Sequence, residues 1–104
     1  MQMHNLVCLI GRLSQDVNLE KEGGKDVARL TLAVQRTFKN EDGVFETDYI
    51  DIVLYNTLAT HTSEYCKKGD LVGIKGRLEN TQTDIGTILE VVVDKISFLA
   101  SKSK

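Results

Sequence analysis

Aromatic rings at regular positions of a predicted strand are the residues of this sequence best suited to chemistry. Tyr49 and Tyr55 lie six positions apart, and because side chains alternate along a strand, both point to the same side. A third ring, Phe38, comes just before the turn that leads into this strand. Exposed rings stack on nucleic-acid bases of any type because every base has a π-face. The same rings could equally pack against neighbouring strands at an interface, and the pattern alone leaves both interpretations open.

Cations at nearby positions would complete a surface of this kind, because lysine and arginine neutralise phosphates. Strand order and the alternation of side chains select five candidates, which are Arg12, Arg36, Lys39, Lys75 and Arg77. Asp51 lies between the two tyrosines on the same side and would repel a phosphate. Either a neighbouring cation pairs with Asp51, or a bound nucleic-acid backbone does not pass over it. The sequence leaves both possibilities open.

The composition is that of an ordinary globular chain. Its 104 residues suit one domain, which we expect over residues 1–100, followed by a short polar tail at 101–104. The net charge of −2, from 13 basic and 15 acidic residues, gives no overall attraction to nucleic acid, so any basic surface must be local. No apolar run approaches the ~20 residues of a membrane helix, and the N-terminus does not resemble a signal peptide. We therefore expect a cytoplasmic protein with no membrane partner.

No group of residues has the spacing of a catalytic or metal site. Two histidine–cysteine pairs are too loosely spaced for a zinc site, namely His4 with Cys8 and His61 with Cys66. The glycines at 23 and 24 lack the Lys-Ser/Thr pair of a phosphate loop, and the carboxylates form no recognisable acid–base pair. We expect no catalytic residue, no metal, no cofactor and no small-molecule substrate.

The elements that must position the rings are predicted to be strands, with one helix. The second strand, VARLTLAVQRTF, alternates cleanly until a bulge near Gln35, which would turn Arg36 and Phe38 outward. The predicted order is strands at 6–13, at 27–38 and in the stretch ending at Tyr55, a helix at 57–68, then strands at 71–79 and 87–99. This order indicates an all-β fold, a five-stranded Greek-key barrel of the OB type with one short helix between strands three and four.

Local signals predict the turns and the ends of the helix. Polar stretches that contain glycine mark turns at residues 22–26, 39–43 and 80–86. The helix carries an apolar stripe, and Lys67 and Lys68 suit its carboxyl end before Gly69. Tyr65 belongs to that stripe, and we expect it in the core together with Phe98 of the last strand.

The first strand is apolar on both of its sides, as a strand buried on both faces would be. In a barrel of this size one side faces the core, so the other must contact something else. We therefore expect residues 6–13 to form the contact with another copy of the chain, in a homo-oligomer.

Four stretches in order resemble the core of the bacterial single-stranded DNA-binding proteins over residues 4–99. They are LVCLIGRLSQD, VARLTLAVQRTFKNEDG, the run from ETDYIDIVLY to KKGDLVGIKGRLE, and LEVVVDKISFL. The resemblance implies an OB fold, binding of single-stranded DNA in replication, recombination or repair, usually as a homotetramer, and no enzymatic activity. By the same resemblance, Phe38, Tyr49 and Tyr55 would be the stacking residues.

Two departures from that family limit what it implies. The loop NTQTDIG is short and has no aromatic or basic residue, whereas the family often has a long basic hairpin with a ring there. The chain stops at SKSK without the acidic tip through which many members recruit other proteins, so we do not expect recruitment by a tail. Two alternatives remain: a protein-docking subunit of a primosome-like assembly, and an RNA-binding OB module.

Overall fold

Six strands and one helix form within residues 1–102, the part of the chain that the computed structural model describes; residues 103 and 104 of the predicted tail lie outside it. In chain order the elements are β1 Val7–Leu13, β2 Glu20–Glu22, β3 Lys25–Lys39, β4 Phe45–Tyr55, α1 Asn56–Tyr65, β5 Leu71–Thr83 and β6 Gly86–Ala100. Within the described residues, no helix is both long and apolar enough to cross a membrane.

Pairing between the strands closes the sheet into a barrel. The order β1-β5-β6-β4-β3 returns to β1 through the pairs Arg12↔Ala33 and Leu13↔Leu32. Of the described strands, β4 and β6 run parallel and the other neighbours run antiparallel. The predicted five-stranded OB barrel with one helix is thus confirmed. The short β2 was not predicted, because its sequence Glu-Lys-Glu has no apolar side chain to reveal a strand.

Alternation along the strands fills the interior. Leu30 and Leu32 of β3 are buried beside Ile52 and Leu54 of β4, and each such side chain contributes roughly 1.5–3 kcal/mol on burial. Gly11 lies where β1 meets β3. A Cβ atom built at this glycine would lie 2.5 Å from the Ala33 carbonyl oxygen, so the closure of the barrel requires a residue without a side chain.

β3 and β4 continue beyond the point where β1 and β3 close the barrel, and there they form a two-stranded arm. We call residues 34–48 of β3, β4 and their turn the arm, because there β3 and β4 pair with each other and with no other described strand. Gln35 pairs with Thr47, and the next pair is Lys39 with Phe45. Three residues of β3 therefore face one residue of β4. This irregularity confirms the predicted bulge, and Arg36 and Phe38 are exposed as expected.

The helix is shorter than the sequence predicts. It ends at Tyr65, and Lys67 and Lys68 lie beyond it in the turn before β5, where the N–H of Lys67 donates to the Asp70 carboxylate at 2.8 Å. Tyr65 is 75% exposed, so its predicted place in the core is wrong. The buried side of the helix is Ala59 and Thr62. Six residues after Ala59, at about 100° per residue, Tyr65 is turned by about 120° away from that side.

The last hairpin is longer than the sequence predicts. The residues predicted as a turn at 80–86 are mostly strand, because β5 continues to Thr83 and pairs there with Gly86. Main-chain pairing does not require apolar side chains, which is why the polar run Asn80–Thr83 gave no strand signal. Phe98 is also predicted wrongly: it pairs with buried Val72, but it lies at the end of the barrel beside α1 and is exposed.

Candidate nucleic-acid interface

The two tyrosines lie on the outer side of the barrel, opposite to the core. Tyr49 pairs with Ala33 of β3, and Tyr55 pairs with Val27. The six steps between the tyrosines correspond to ~20 Å of strand. We call this outer side of β3 and β4, together with the neighbouring Arg12 of β1, the tyrosine side. The predicted common orientation of the two rings is therefore confirmed.

Tyr49 is the more open of the two rings, with 68% of its surface exposed. Its cross-strand neighbour Ala33 is small and pairs in turn with Arg12 on β1. Arg12, Ala33 and Tyr49 thus form one row across three strands, at the place where the barrel closes. The Arg12 guanidinium donates to the Gly69 carbonyl at 2.9 Å and forms no ion pair with any described residue. Arg12 therefore has no described carboxylate partner, and only the strand β3 separates it from the exposed Tyr49 on β4.

Tyr55 is half-buried and its ring is held from two directions. The ring packs against Val27, Val53 and Val92. Its hydroxyl accepts a hydrogen bond of 3.4 Å from the Arg29 guanidinium, a long contact. Tyr55 is consequently a more fixed platform than Tyr49, and it offers less of its surface.

Arg29 belongs to a small charged network that was not predicted from the sequence. Its Nε donates to the carboxylate of Glu90 at 3.3 Å, and Glu90 is only 2% exposed. Thr81 donates to the other Glu90 oxygen at 2.6 Å, and Arg29 also pairs with Glu22. Burial alone would lower the pKa of Arg29, but the hydrogen bond to Glu90 and the charges of Glu90 and Glu22 raise it overall. Arg29 does share the outward parity of β3 with Ala33, and that signal was available in the sequence.

Phe38 lies on the arm and is 64% exposed. The neighbouring Lys39 places its ammonium 5.6 Å from the centroid of the Phe45 ring, the geometry of a cation–π contact. Lys39 forms no ion pair with any residue from 1 to 102. The arm therefore carries exposed rings and a cation whose charge no neighbouring carboxylate neutralises.

Two of the predicted phosphate-binding residues are already paired with carboxylates. Arg36 donates to both oxygens of Asp48, at 2.9 and 3.1 Å, and approaches Glu46 at 3.4 Å. The hydrogen bond to Asp48 raises the pKa of Arg36, and the same bond lowers the pKa of Asp48. Arg77 pairs with Glu79 at 2.7 Å and with Asp94 at 2.8 Å, and the bond to Glu79 is the main cause of its raised pKa.

The fifth predicted cation, Lys75, is not on the tyrosine side. It lies on β5 between Cys8 of β1 and Lys95 of β6, on the outer side of a different part of the barrel. Asp51 lies opposite Thr31, is exposed, and forms no ion pair with any described residue. The question left open by the sequence is answered: no described cation pairs with Asp51.

The described residues bring together no three His, Cys, Asp or Glu side chains that could hold a metal ion. What the outer surface does present is rings and cations. Such an arrangement can stack flat, apolar groups and attract anions. Its geometry does not select any particular order of these groups along a bound ligand.

Comparison with known proteins gives a consistent result over nearly the whole chain. A family model described as the single-strand binding protein family matches residues 4–99. The chain is 40% identical over 108 residues to single-stranded DNA-binding protein B of Bacillus subtilis (strain 168), which covers 98% of the chain and 96% of that protein. It is 40% identical to single-stranded DNA-binding protein 1 of Staphylococcus aureus (strain MSSA476), covering 97% of the chain and 69% of the relative. With the single-stranded DNA-binding protein of Streptococcus mutans serotype c the identity is 39%.

Proposed function

Because the chain belongs to the single-strand binding protein family, we propose that it binds and protects single-stranded DNA with little sequence preference. Members of this family bind DNA and are not enzymes. The observation that carries the proposal is the row Arg12–Ala33–Tyr49, in which an exposed ring lies near a cation that no described carboxylate neutralises. A DNA ligand also fits the cytoplasmic location expected from the sequence.

Stacking is the proposed source of most of the affinity. Tyr49 and Phe38 expose most of their rings, and Tyr55 supplies a more rigid platform at the other end of the tyrosine side. A base that stacks on such a ring gains ~1–3 kcal/mol. Since stacking does not depend on the base, the three rings support binding without sequence preference.

Phosphate contacts are proposed first for Arg12 and Lys39, whose charges are not neutralised by described carboxylates. Arg36 and Arg77 are already paired with carboxylates, so a phosphate would have to replace a carboxylate to contact them. Such a replacement adds little to the free energy of binding. Asp51 repels phosphates in the middle of the tyrosine side. We therefore expect the strand to turn its bases toward the rings and its phosphates away from Asp51, with a smaller salt dependence than a strongly basic protein shows.

Self-association through β1 is the second part of the proposal. Leu6 and Ile10 lie on the outward side of the N-terminal part of the chain and are 66% and 62% exposed. β1 pairs with β3 only at Arg12 and Leu13 among the described residues, so its edge from Val7 to Gly11 is unpaired on that side. An apolar strand with a free edge is a ready surface for a second copy. A homotetramer built in this way would carry several linked binding surfaces and raise the avidity for one strand.

The alternatives from the sequence predict different ligands. A docking subunit of a primosome-like assembly would not bind oligo-dT, and an RNA-binding module would prefer oligo-U to oligo-dT. A pure docking subunit would have no need to expose the three rings. An RNA-binding module shares the stacking rings, and competition between oligo-dT and oligo-U separates it from a DNA-binding protein. The family membership favours DNA.

The experiment that tests the proposal is a fluorescence-anisotropy titration of labelled oligo-dT, ~35 nucleotides long, over a series of salt concentrations. Duplex DNA of the same length is the control. Tight binding of the single strand, weak binding of the duplex and an affinity that falls with salt are the expected results. Absence of binding at low salt would contradict the proposal and would favour the docking subunit.

A further inference from the structure

Asp51 takes no part in the proposed stacking and phosphate contacts, although it lies in the middle of the tyrosine side. It is an exposed residue of β4 between Tyr49 and Tyr55, and it lies opposite Thr31 of β3. Its distance from Tyr49 along the strand is about 7 Å, so a base stacked on the Tyr49 ring brings one edge within reach of the carboxylate. An ionised carboxylate has no proton to donate. Asp51 can therefore contribute to a ligand only as an acceptor.

Arg29 is the cation diagonal to Asp51 on the neighbouring strand, but it is held by other carboxylates. Diagonal positions lie about 7–8 Å apart, within reach of a long side chain. The Arg29 guanidinium instead pairs with Glu22 and Glu90, and its Nε donates to Glu90 at 3.3 Å. Because Glu90 is buried, loss of its cation would leave an uncompensated charge in the protein. Arg29 therefore stays with Glu90 and does not neutralise Asp51.

The hydroxyl directly opposite Asp51 is engaged as well. Ser14 donates to the Thr31 carbonyl oxygen at 2.8 Å, and the hydroxyls of Ser14 and Thr31 are also hydrogen-bonded to each other. Since a hydroxyl has one proton to donate, Thr31 is the donor in this second bond. The Thr31 proton is thus directed to Ser14. Asp51 forms no ion pair with any residue from 1 to 102, and its carboxylate is available to a ligand.

Asp51 also borders a depression of about 280 Å³ on the outer side of β3, β4 and β6. Arg29 and Thr31 of β3, and Ile88 and Glu90 of β6, form part of its wall. The wall combines an aliphatic side chain with polar groups. A flat ring with polar atoms on its edge fits such a wall, because its face can contact the aliphatic group while its edge contacts the carboxylate.

We propose that Asp51 accepts a hydrogen bond from the amino group of a base, so that the tyrosine side favours cytosine and other amino-bearing bases over thymine and uracil. Cytosine carries the N4 amino donor where thymine carries the O4 acceptor. A carboxylate attracts the first group and repels the second, and aspartate is a suitable partner for cytosine N4. The inference rests on the proposed function, because it requires a single strand whose bases are turned toward the rings.

A single contact of this kind responds to base composition and not to base order. A strand can bind in many overlapping registers, so most sequences can place an amino-bearing base at Asp51. Stacking on the three rings does not depend on the base and still supplies most of the affinity. The preference between homopolymers is therefore modest, about fivefold, which is the effect of one net hydrogen bond.

Anisotropy titrations of Asp51→Asn with oligo-dC and oligo-dU of ~8 nucleotides at neutral pH test the inference. The two bases differ only in the group at C4 and in the proton on N3, so the methyl group of thymine has no influence. The measured quantity is the ratio Kd(dU)/Kd(dC). It should be about fivefold higher in the wild-type chain than in D51N, whose amide can donate to uracil as well as accept from cytosine. Loss of the negative charge strengthens binding of both oligonucleotides, and this effect cancels in the ratio.

Asp84→Asn is the matched control, because Asp84 is an exposed carboxylate at the turn between β5 and β6. The ratio in D84N should equal that of the wild-type chain. An equal ratio in the wild-type chain and D51N would overturn the inference and leave the proposed function standing, since Asp51 would then only repel phosphates. Equal falls in D51N and D84N would contradict the assignment to this position. If the wild-type chain binds neither oligonucleotide at low salt, the proposed function fails and the inference fails with it.

One cytosine among uracils distinguishes a single contact from a general preference for cytosine. An oligonucleotide of ~8 nucleotides with one central dC and dU elsewhere should show most of the gain seen with oligo-dC, because each chain has one Asp51. A gain that grows in proportion to the number of cytosines would contradict the assignment, since it would mean that the preference arises from stacking at every ring.

Discussion

The tyrosine side and the outer side of β1, β5 and β6 belong to one barrel, and they differ in what surrounds their cations. On the tyrosine side and the adjoining arm, carboxylates pair with Arg29 and Arg36, while Arg12 forms no ion pair with a described residue and lies near an exposed ring. On the outer side of β1, β5 and β6, Lys75 and Lys95 lie opposite each other near the exposed Ile10, and neither lysine forms an ion pair with a described residue. Exposed rings suit the stacking of bases, whereas the apolar outward side of β1 with its free edge suits a second copy of the chain.

Counting cations does not locate an anion-binding surface in this protein. Its net charge is −2, and most of the arginines on its strands already form ion pairs within the chain. Exposed pairs of this kind are worth ~0–1 kcal/mol each, so they matter less for stability than for removing charge from the surface. The cations that remain free define where a ligand can be attracted.

The largest effect that separates the two sides is expected from Ile10→Asp. If the outward side of β1 contacts a second copy, the substitution buries an unpaired charge in an apolar contact, and we expect association to weaken by on the order of 100-fold or more. Sedimentation velocity over a range of protein concentrations measures it. Binding of short oligo-dT to the tyrosine side should change less, because Ile10 supplies neither a ring nor a cation to it.

Ile85→Asp is the matched control for that substitution. Ile85 is 94% exposed at the turn between β5 and β6, so the substitution places the same new charge at a different exposed apolar residue. If Ile85→Asp dissociates the oligomer and Ile10→Asp does not, the contact between copies lies at the hairpin and not at β1.

Tyr49→Ala should produce the next largest effect, on the other side of the barrel. Loss of one stacking platform costs ~1–3 kcal/mol, which corresponds to about 5–150-fold in the affinity for oligo-dT, while association is unchanged. Anisotropy titration at constant salt measures the affinity. Tyr65→Ala removes an equally exposed tyrosine from α1 and should leave the affinity as it is. Equal losses in both variants would show that tyrosine content, and not the tyrosine side, determines the affinity.

The sequence predicts the barrel and the orientation of its rings because both depend on local alternation. Leu30, Leu32, Ile52 and Leu54 alternate with outward residues, and that pattern alone decides which side is buried. The same logic placed Tyr49 and Tyr55 together. It failed at Tyr65 and Phe98, because the ends of a helix and of a barrel strand reach beyond the core although their periodicity continues.

The pairing of charges could not be predicted in the same way. Arg29 and Glu90 are 61 positions apart, and Arg77 meets Asp94 only because a bulge on β6 aligns them. Such contacts depend on strand register, which a single sequence does not display. For this reason five cations were equivalent candidates in the sequence, whereas the structure separates Arg12 and Lys39 from Arg36 and Arg77, and moves Lys75 to another surface.

Replacing arginines sharpens the distinction between free and neutralised cations on the tyrosine side and the arm. Arg12→Gln should lower the salt slope of oligo-dT binding by about 1, because one phosphate contact is lost. The charge-neutral double variant R36Q/D48N should leave the slope unchanged, since the Arg36 charge is already compensated by Asp48. Titrations at several salt concentrations measure both slopes. A larger change in R36Q/D48N than in R12Q would mean that DNA displaces the carboxylate and uses Arg36.

The smallest expected effect concerns the acid titration of Asp48. The Arg36 hydrogen bond lowers the pKa of this carboxyl in the folded protein, so Asp48 should titrate below the ordinary value of about 3.9. The pair therefore contributes to stability above the ordinary pKa of an unfolded Asp, and the contribution is lost as pH falls through the lowered folded value. An NMR titration of the Asp48 side chain measures the midpoint, and Arg36→Gln should return it to the ordinary range. If the midpoint is ordinary in the wild-type chain, Arg36 is not held by Asp48 in solution, and its charge is as available to a phosphate as that of Arg12.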